Sequence, residues 1–233
     1  MSQRVPMDFA GLLAALASLV ALAWPTESHA ALSGTVRLLL EARAVSTGEV
    51  RDAIVYWIPE RPMAPPPGAQ PVEIVMREKE FLPHVVAVTR GSSVRFPNAD
   101  PILHNVFSVS PENAFDLGLY GTGPGRSVRL DATGLVRVYC NVHHTMAAHV
   151  LVLETPHFVS PGPSGEFSLA GLPDGAGTLH VWHARTEPWS RSLTLPLTEP
   201  VEVSLEITRR RVAPHLDKSG RPYRETRGDK SYR

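Results

Sequence analysis

Short apolar segments separated by proline and glycine recur along most of this chain of 233 residues, which contains 22 prolines and 17 glycines. Segments that are rich in β-branched and aromatic residues and end at turn-forming residues are typical of β-strands. No stretch after residue 30 shows the apolar periodicity of an amphipathic helix, so the sequence predicts an all-β protein. Between residues 72 and 154 the close spacing favours an antiparallel sandwich or barrel, with strands predicted at Val72–Met76, Val85–Thr89, Ser93–Phe96, Asn105–Ser108, Arg126–Leu130, Val136–Tyr139 and His149–Leu153.

The regions on either side, 31–71 and 155–207, have the same strand-like character. The stretch from Arg61 to Pro71 contains five prolines, which indicates a stiff connector and a domain boundary. The glycine-rich stretch at 120–125 lacks the strand–glycine–helix order of a phosphate-binding loop and is predicted to be a turn.

Residues 1–30 have the pattern of a secretory signal peptide. Arg4 supplies a positive charge, Phe9 to Ala23 is apolar and uncharged, and Ser28-His29-Ala30 offers small residues for cleavage after Ala30. The alternative is an uncleaved membrane anchor, but the apolar stretch is short for a span of roughly 20 residues. We therefore expect export to the periplasm of a Gram-negative type of cell and no stable membrane insertion after cleavage.

The charge is unevenly distributed along the exported chain. Residues 31–207 carry 13 Lys/Arg and 18 Asp/Glu, whereas residues 208–233 carry nine Lys/Arg and three Asp/Glu. The segment 208–233 lacks apolar periodicity and is predicted to be a basic, disordered tail. It is either simply solvated or makes an electrostatic contact with an acidic partner or with lipid head groups. No segment resembles a nucleic-acid-binding module, so no nucleic-acid partner is expected.

Cys140 is the only cysteine in the chain, so it has no intramolecular disulfide partner and is open to metal binding. It begins the pattern C-x2-H-x2-M with His143 and Met146, and His104 precedes a predicted strand upstream. Two imidazoles, a thiolate and a thioether are the donor set of a blue-copper electron-transfer site. Zinc is a competing metal, although methionine is a poor fourth donor for it. A buried thiol without any metal is the remaining alternative.

Residues 72–154 resemble the cupredoxins, small Greek-key copper proteins. The resemblance lies in the stretch Phe96-Pro97-Asn98-Ala99-Asp100, in His104-Asn105-Val106, and in a C-x2-H-x2-M loop of the length found in amicyanin. It implies one type 1 copper ion with His104, Cys140 and His143 as strong ligands and Met146 as a long axial ligand. It also implies that Asn105 ties the ligand loops together and donates to the thiolate from its backbone.

One position departs from that resemblance. Amicyanin has proline directly after its loop histidine, where this chain has His144, so the stiffening that proline would give is absent. His144 could compete as a ligand, but C-x3-H-x-M would be an unusual spacing, and His143 is the predicted ligand. His84 and His149 are predicted to be structural, and His180 and His183 to pack against tryptophan or, as an alternative, to form a second copper site.

The flanking regions resemble the two halves of the transthyretin-like domains attached to carboxypeptidases. "LSGTVRL…DAIVYW" matches the first half and "GEFSLAGLPDGAGTLHVWH" the second. The resemblance implies that 31–71 and 155–207 form one split sandwich around the copper domain 72–154. The alternative is a tandem order, with the first region adding strands to the copper domain.

The leading functional hypothesis is a one-electron carrier that exchanges electrons with a redox protein such as a dehydrogenase or a c-type cytochrome. The alternative is a periplasmic protein that binds and handles copper without redox turnover. An enzyme is not expected, because the copper oxidases and nitrite reductases pair a blue site with a second, histidine-rich centre that this single cupredoxin-like unit lacks.

Overall fold

A computed structural model describes residues 29–45, 48–61, 71–208 and 215–223. Apart from one 3₁₀ turn at Glu49–Asp52, the regular structure of these residues is β-strand, and the prediction of an all-β fold is confirmed. In chain order the strands are β1 (His29–Leu40), β2 (Arg43–Ala44), β3 (Ile54–Pro59), β4 (Val72–Glu73), β5 (Val75–Arg77), β6 (Glu80–Leu82), β7 (Val85–Thr89), β8 (Ser93–Asn98), β9 (His104–Ser108), β10 (Phe115–Tyr120), β11 (Gly123–Arg129), β12 (Gly134–Cys140), β13 (Ala147–Leu153), β14 (Phe158–Val159), β15 (Glu166–Pro173), β16 (Gly175–Trp182), β17 (Trp189–Leu195) and β18 (Val201–Glu206).

The strands between residues 72 and 153 form a sandwich of two sheets. One sheet has the order β10-β9-β12-β13-β7, and the other has the order β11-β8-β5-β6 with β4 beside β8. Alternate residues of both sheets point inward and form a common apolar core. Its members include Met76, Phe81, Val94, Phe96, Val106, Val138, Cys140, Met146 and Val150.

A second sandwich is built from strands near both ends of the described chain. Its sheets have the orders β15-β1-β18 and β14-β3-β16-β17, with β2 beside β1. Strand β1 pairs antiparallel with β15 and parallel with β18, and β3 pairs antiparallel with β14 and β16. Trp57 on β3 is fully buried in the core of this sandwich. The likeness to transthyretin-like domains and the domain boundaries remain predictions.

The two sandwiches meet through a third, smaller apolar cluster. Val85, Ala87, Leu151 and Leu153 contribute to it from the outer face of β7 and β13, and Ile54 contributes from β3. The partly buried side chains around them include Tyr56, Phe158 and Trp182 of the second sandwich. The outer face of β7 and β13 is therefore covered rather than solvated, which agrees with the nearly unbroken apolar sequence of both strands.

The glycine-rich stretch 120–125 contains a shorter turn than predicted, because β10 extends to Tyr120 and β11 already begins at Gly123, which leaves residues 121–122 between the strands. Gly125 has a φ of +76°, and a Cβ atom there would lie 1.9 Å from the carbonyl oxygen of Phe96. Only glycine permits this close approach of β11 to β8 at a left-handed position. The predictions missed β10 because Phe115–Tyr120 contains Asp116 and Gly118, which are uncommon in strands.

Three sequence predictions lie partly or wholly outside the described residues. For the signal peptide, residues 1–28 lie outside the described part of the chain. For the proline-rich connector these are residues 62–70, and for the basic tail they are 209–214 and 224–233. Strand β1 begins at His29, so cleavage after Ala30 would shorten it by two residues. The predicted disordered tail differs from the structure at 215–223, where side chains make specific contacts with the first sandwich. Within the described residues, no helix is long and apolar enough to cross a membrane.

Candidate metal centre

The predicted ligands lie at the ends of two neighbouring central strands. His104 is the first residue of β9 and Cys140 is the last residue of β12. The two strands are antiparallel, with Cys140 opposite Val106 and Tyr139 opposite Phe107. Because β9 begins beside the point where β12 ends, both candidate ligands lie at the same end of the sheet. Side chains alternate across a strand, and the Cys140 side chain points into the core.

The loop between β12 and β13 is closed by its own backbone. The Cys140 N–H donates to the Met146 carbonyl at 3.3 Å, and the Met146 N–H donates to the His143 carbonyl at 3.1 Å. These bonds fold seven residues into a tight turn, which brings His143 back over Cys140. Met146 therefore lies where the loop closes, at its neck beside Cys140. Its side chain is buried in the same apolar core as Cys140.

Three ligating atoms converge at this turn. Cys140 Sγ lies 3.7 Å from His104 Nδ1 and 3.7 Å from His143 Nδ1, and the two nitrogens are 3.1 Å apart. With bonds of about 2.0 Å to nitrogen and about 2.3 Å to sulfur, a metal in the plane of the three donors would separate nitrogen from sulfur by roughly 3.7 Å and the two nitrogens by roughly 3.5 Å. The three side chains therefore fit a metal ion.

Asp100 orients His104 from the opposite side of its ring. The Asp100 Oδ2 atom lies 2.8 Å from His104 Nε2, and both residues are buried. The bond places the proton on Nε2 and leaves the Nδ1 lone pair facing Cys140. The spacing of four residues between this acid and the histidine was visible in the sequence, but the aspartate was not predicted to act on the site.

The Asp100 carboxylate is itself held by the turn between β5 and β6. The backbone N–H groups of Glu78 and Lys79 donate to it at 2.6 and 3.0 Å. Burial alone would raise the pKa of Asp100, but these bonds and the His104 ring hold the pKa below its usual value. The carboxylate thus stays ionised and connects His104 on one sheet to a turn of the other.

Asn105 lies next to His104, but its side chain faces β10. Its Nδ2 donates to Asp116 Oδ1 at 2.7 Å, and its Oδ1 is buried without a hydrogen-bond partner among the described residues. The amide thus connects the start of β9 to the neighbouring strand. The predicted tie from Asn105 to the cysteine loop and its backbone bond to the thiolate remain predictions.

The candidate ligands differ in exposure. His104 and Cys140 are fully buried, His143 is partly exposed, and His144 is exposed. The structure therefore brings His143, and not His144, to the cluster. Three apolar side chains near the candidate ligands are about half exposed, namely Leu103, Leu119 and Val142. Leu103 precedes His104 and Val142 precedes His143 in sequence, and Leu119 is opposite Asn105 in the β9–β10 pairing.

The remaining histidines predicted to be structural lie elsewhere. His149 is buried beside Trp182, and the carbonyl of His84 accepts from the backbone N–H of His149. His180 stacks on Tyr56 with the ring centroids 4.8 Å apart rather than on a tryptophan. In the part of the chain that the structure describes, His104, Cys140 and His143 are the one group of three or more such side chains close enough to hold a metal.

Comparisons with known proteins return structural likenesses only. No protein family and no curated protein matches the chain. A purple cupredoxin from Nitrosopumilus maritimus is 19% identical, with a TM-score of 0.31, over 35% of this chain and 99% of its own. Amicyanin from Paracoccus versutus is 20% identical, with a TM-score of 0.34, over 42% of this chain and 97% of its own. At these values the chemistry of the site rests on its own residues.

Proposed function

We propose that the chain is a type 1 copper protein that carries one electron at a time in the periplasm. The observation that carries the proposal is the convergence of one cysteine sulfur and two imidazole nitrogens, which all lie within 4.8 Å of one another. His104, Cys140 and His143 would hold the ion, and Met146 would supply the weak axial donor. Copper held in this way supplies a centre that accepts and returns a single electron.

The donor set favours copper over zinc. Structural zinc sites are closed by four cysteine or histidine ligands, and catalytic zinc sites keep a water-accessible position. Here Cys140 and His104 are fully buried, and the residue at the neck of the loop is the buried thioether Met146. A trigonal site of two histidines and a cysteine with a distant methionine is the arrangement found for blue copper.

The burial pattern also suggests how electrons would enter and leave. His143 is the one of the three clustered ligands that reaches solvent, and the exposed apolar side chains of Leu103 and Val142 lie beside the ligands in sequence. A redox partner such as a dehydrogenase or a c-type cytochrome would dock over this face, because a largely apolar contact excludes water from the transfer path. No stable membrane insertion is needed for this role.

The test is the visible spectrum of the purified protein loaded with Cu(II). An intense visible absorption from thiolate-to-copper charge transfer, together with a reversible one-electron reduction, is expected. Cys140→Ser should abolish the absorption, and His144→Ala should retain it as the matched control. A colourless copper complex in the wild-type protein would refute the proposal.

The alternative role, copper handling without redox turnover, predicts different kinetics. A handling protein must release its ion readily, whereas a carrier must hold it through many cycles. Slow transfer of copper to a chelator with fast electron self-exchange supports the carrier. Rapid release with slow self-exchange would support handling.

A further inference from the structure

Part of the basic tail lies over the outer face of the sheet that carries the ligands. The segment 215–223, termed the strap here, begins with His215, whose ring stacks on Tyr139 with centroids 4.0 Å apart and an interplanar angle of 20°. The same ring meets the edge of Phe107 at 6.5 Å. Tyr139 and Phe107 are opposite each other on β12 and β9, so the strap covers the two central strands.

The strap also bonds the residues at which the ligand loop begins. The Tyr223 hydroxyl donates to the Cys140 carbonyl at 2.9 Å, and the Lys218 backbone N–H donates to Asn141 Oδ1 at 2.9 Å. Cys140, the last residue of β12, and Asn141, the first residue of the loop, are therefore both hydrogen-bonded to the strap.

A third contact extends the strap to the segment that carries His104. The Lys218 ammonium group pairs with Asp116 Oδ2 at 2.6 Å, and the other oxygen of Asp116 accepts from Asn105 at 2.7 Å. Both charged side chains are about 40% exposed, so the ion pair contributes little energy by itself. Its effect is geometric, because Lys218 bonds the cysteine loop through Asn141 and is linked through Asp116 on β10 to Asn105, the neighbour of His104 on β9.

We propose that the strap positions the ligand loop, with Tyr223 and Lys218 as positioning residues for the candidate metal centre. The part of this inference that concerns metal rests on the proposed copper function. The part that concerns the loop does not, because the contacts involve protein groups alone. The strap acts as a brace that limits the movement of Cys140 relative to His104, and this favours a centre whose geometry changes little with its charge.

The first test uses the metal-free, full-length protein and is independent of copper. Amide hydrogen exchange is measured at Cys140 and Met146, whose N–H groups close the loop. Tyr223→Phe should accelerate this exchange about two- to tenfold, the effect of losing a neutral hydrogen bond. Lys218→Met keeps the backbone N–H that bonds Asn141 and loses only the exposed ion pair to Asp116, so its effect should be smaller. Leu216→Ala is the matched control, because Leu216 lies in the strap and is half exposed. Unchanged exchange in Tyr223→Phe would overturn the proposal.

The second test uses the copper-loaded protein. Tyr223→Phe should shift the charge-transfer maximum and raise the rate of Cu(II) release to a chelator about two- to tenfold, while Leu216→Ala leaves both unchanged. If the wild-type protein takes up no copper, the proposed function fails, and the exchange measurement still decides whether the strap holds the loop. Normal copper binding with a spectrum and a release rate identical to wild type in Tyr223→Phe and Lys218→Met would reject the positioning role.

Discussion

His149 provides a test of how the two sandwiches depend on pH. It lies on β13 with only 8% of its surface exposed, and its ring is 5.7 Å from that of Trp182 on the second sandwich. Burial, together with charge repulsion from Arg137, His183 and His84, lowers its pKa from 6.5 to about 4. Arg137 is directly opposite His149 on the neighbouring strand, where a second positive charge is unfavourable.

The direction of the pH effect follows from that lowered pKa. The unfolded chain binds a proton near pH 6.5, whereas the folded protein resists binding one until about pH 4. The stability contribution is therefore complete at neutral pH and is lost progressively as the pH falls through this interval. The full difference corresponds to roughly 3 kcal/mol, of which about 2 kcal/mol is lost between pH 7 and pH 5.

The assay is urea unfolding of the metal-free protein at pH 7 and at pH 5, for the wild type and for His149→Gln. The wild type should lose about 2 kcal/mol more than the variant over this interval, because glutamine does not titrate. His157→Gln is the control, because it removes a histidine that is only partly buried. Burial lowers the pKa of His157 as well. Equal losses in the wild type and His149→Gln would refute the reasoning.

Three further predictions concern single residues. Asp100→Asn should weaken Cu(II) binding about 10- to 100-fold, measured by chelator competition, because the partner that orients His104 loses its charge; unchanged affinity would contradict the role of Asp100. Gly125→Ala should lower the free energy of unfolding by about 2 kcal/mol or more, since its Cβ would meet the Phe96 carbonyl at 1.9 Å, whereas Gly123→Ala, with open space around its Cβ, is the milder control. Gly34→Ala should destabilise the second sandwich by a similar amount, because its Cβ would lie 2.0 Å from the Val201 carbonyl across the β1–β18 pairing; a wild-type urea midpoint would argue against that pairing.

Local pattern was enough to predict most strands of the first sandwich, although not β10, and the short loop after β12. The segment predicted at Val136–Tyr139 is the interior of β12, and the one predicted at Asn105–Ser108 is β9 without its first residue. The short spacing of Cys140, His143 and Met146 constrains a loop whatever surrounds it. His104 was predicted from its place before a strand, because a ligand on a neighbouring strand needs only one pairing to reach the loop.

Contacts between distant segments could not be predicted in this way. Tyr223 bonds a carbonyl 83 residues earlier in the chain, and the polar sequence around it has no periodicity that indicates burial. The Asp100 carboxylate depends on two backbone N–H groups of a turn about 20 residues away. Residue type alone does not show which of many aspartates or tyrosines finds such a partner, because the partner is a backbone group that every residue carries.

The strap and the second sandwich have related effects on the ligand-bearing sheet. Antiparallel sheets commonly leave one face to solvent. In this mixed sheet, where β13 pairs parallel with β7, all five residues of β9 and six of the seven in β13 are buried. The second sandwich covers the outer face at β7 and β13, and His215 of the strap covers it at β9 and β12. His104 and Cys140 therefore belong to central strands that are packed on both faces. Displacing either candidate ligand would disturb close-packed neighbours, so the candidate site is held by the whole sheet as well as by the short loop.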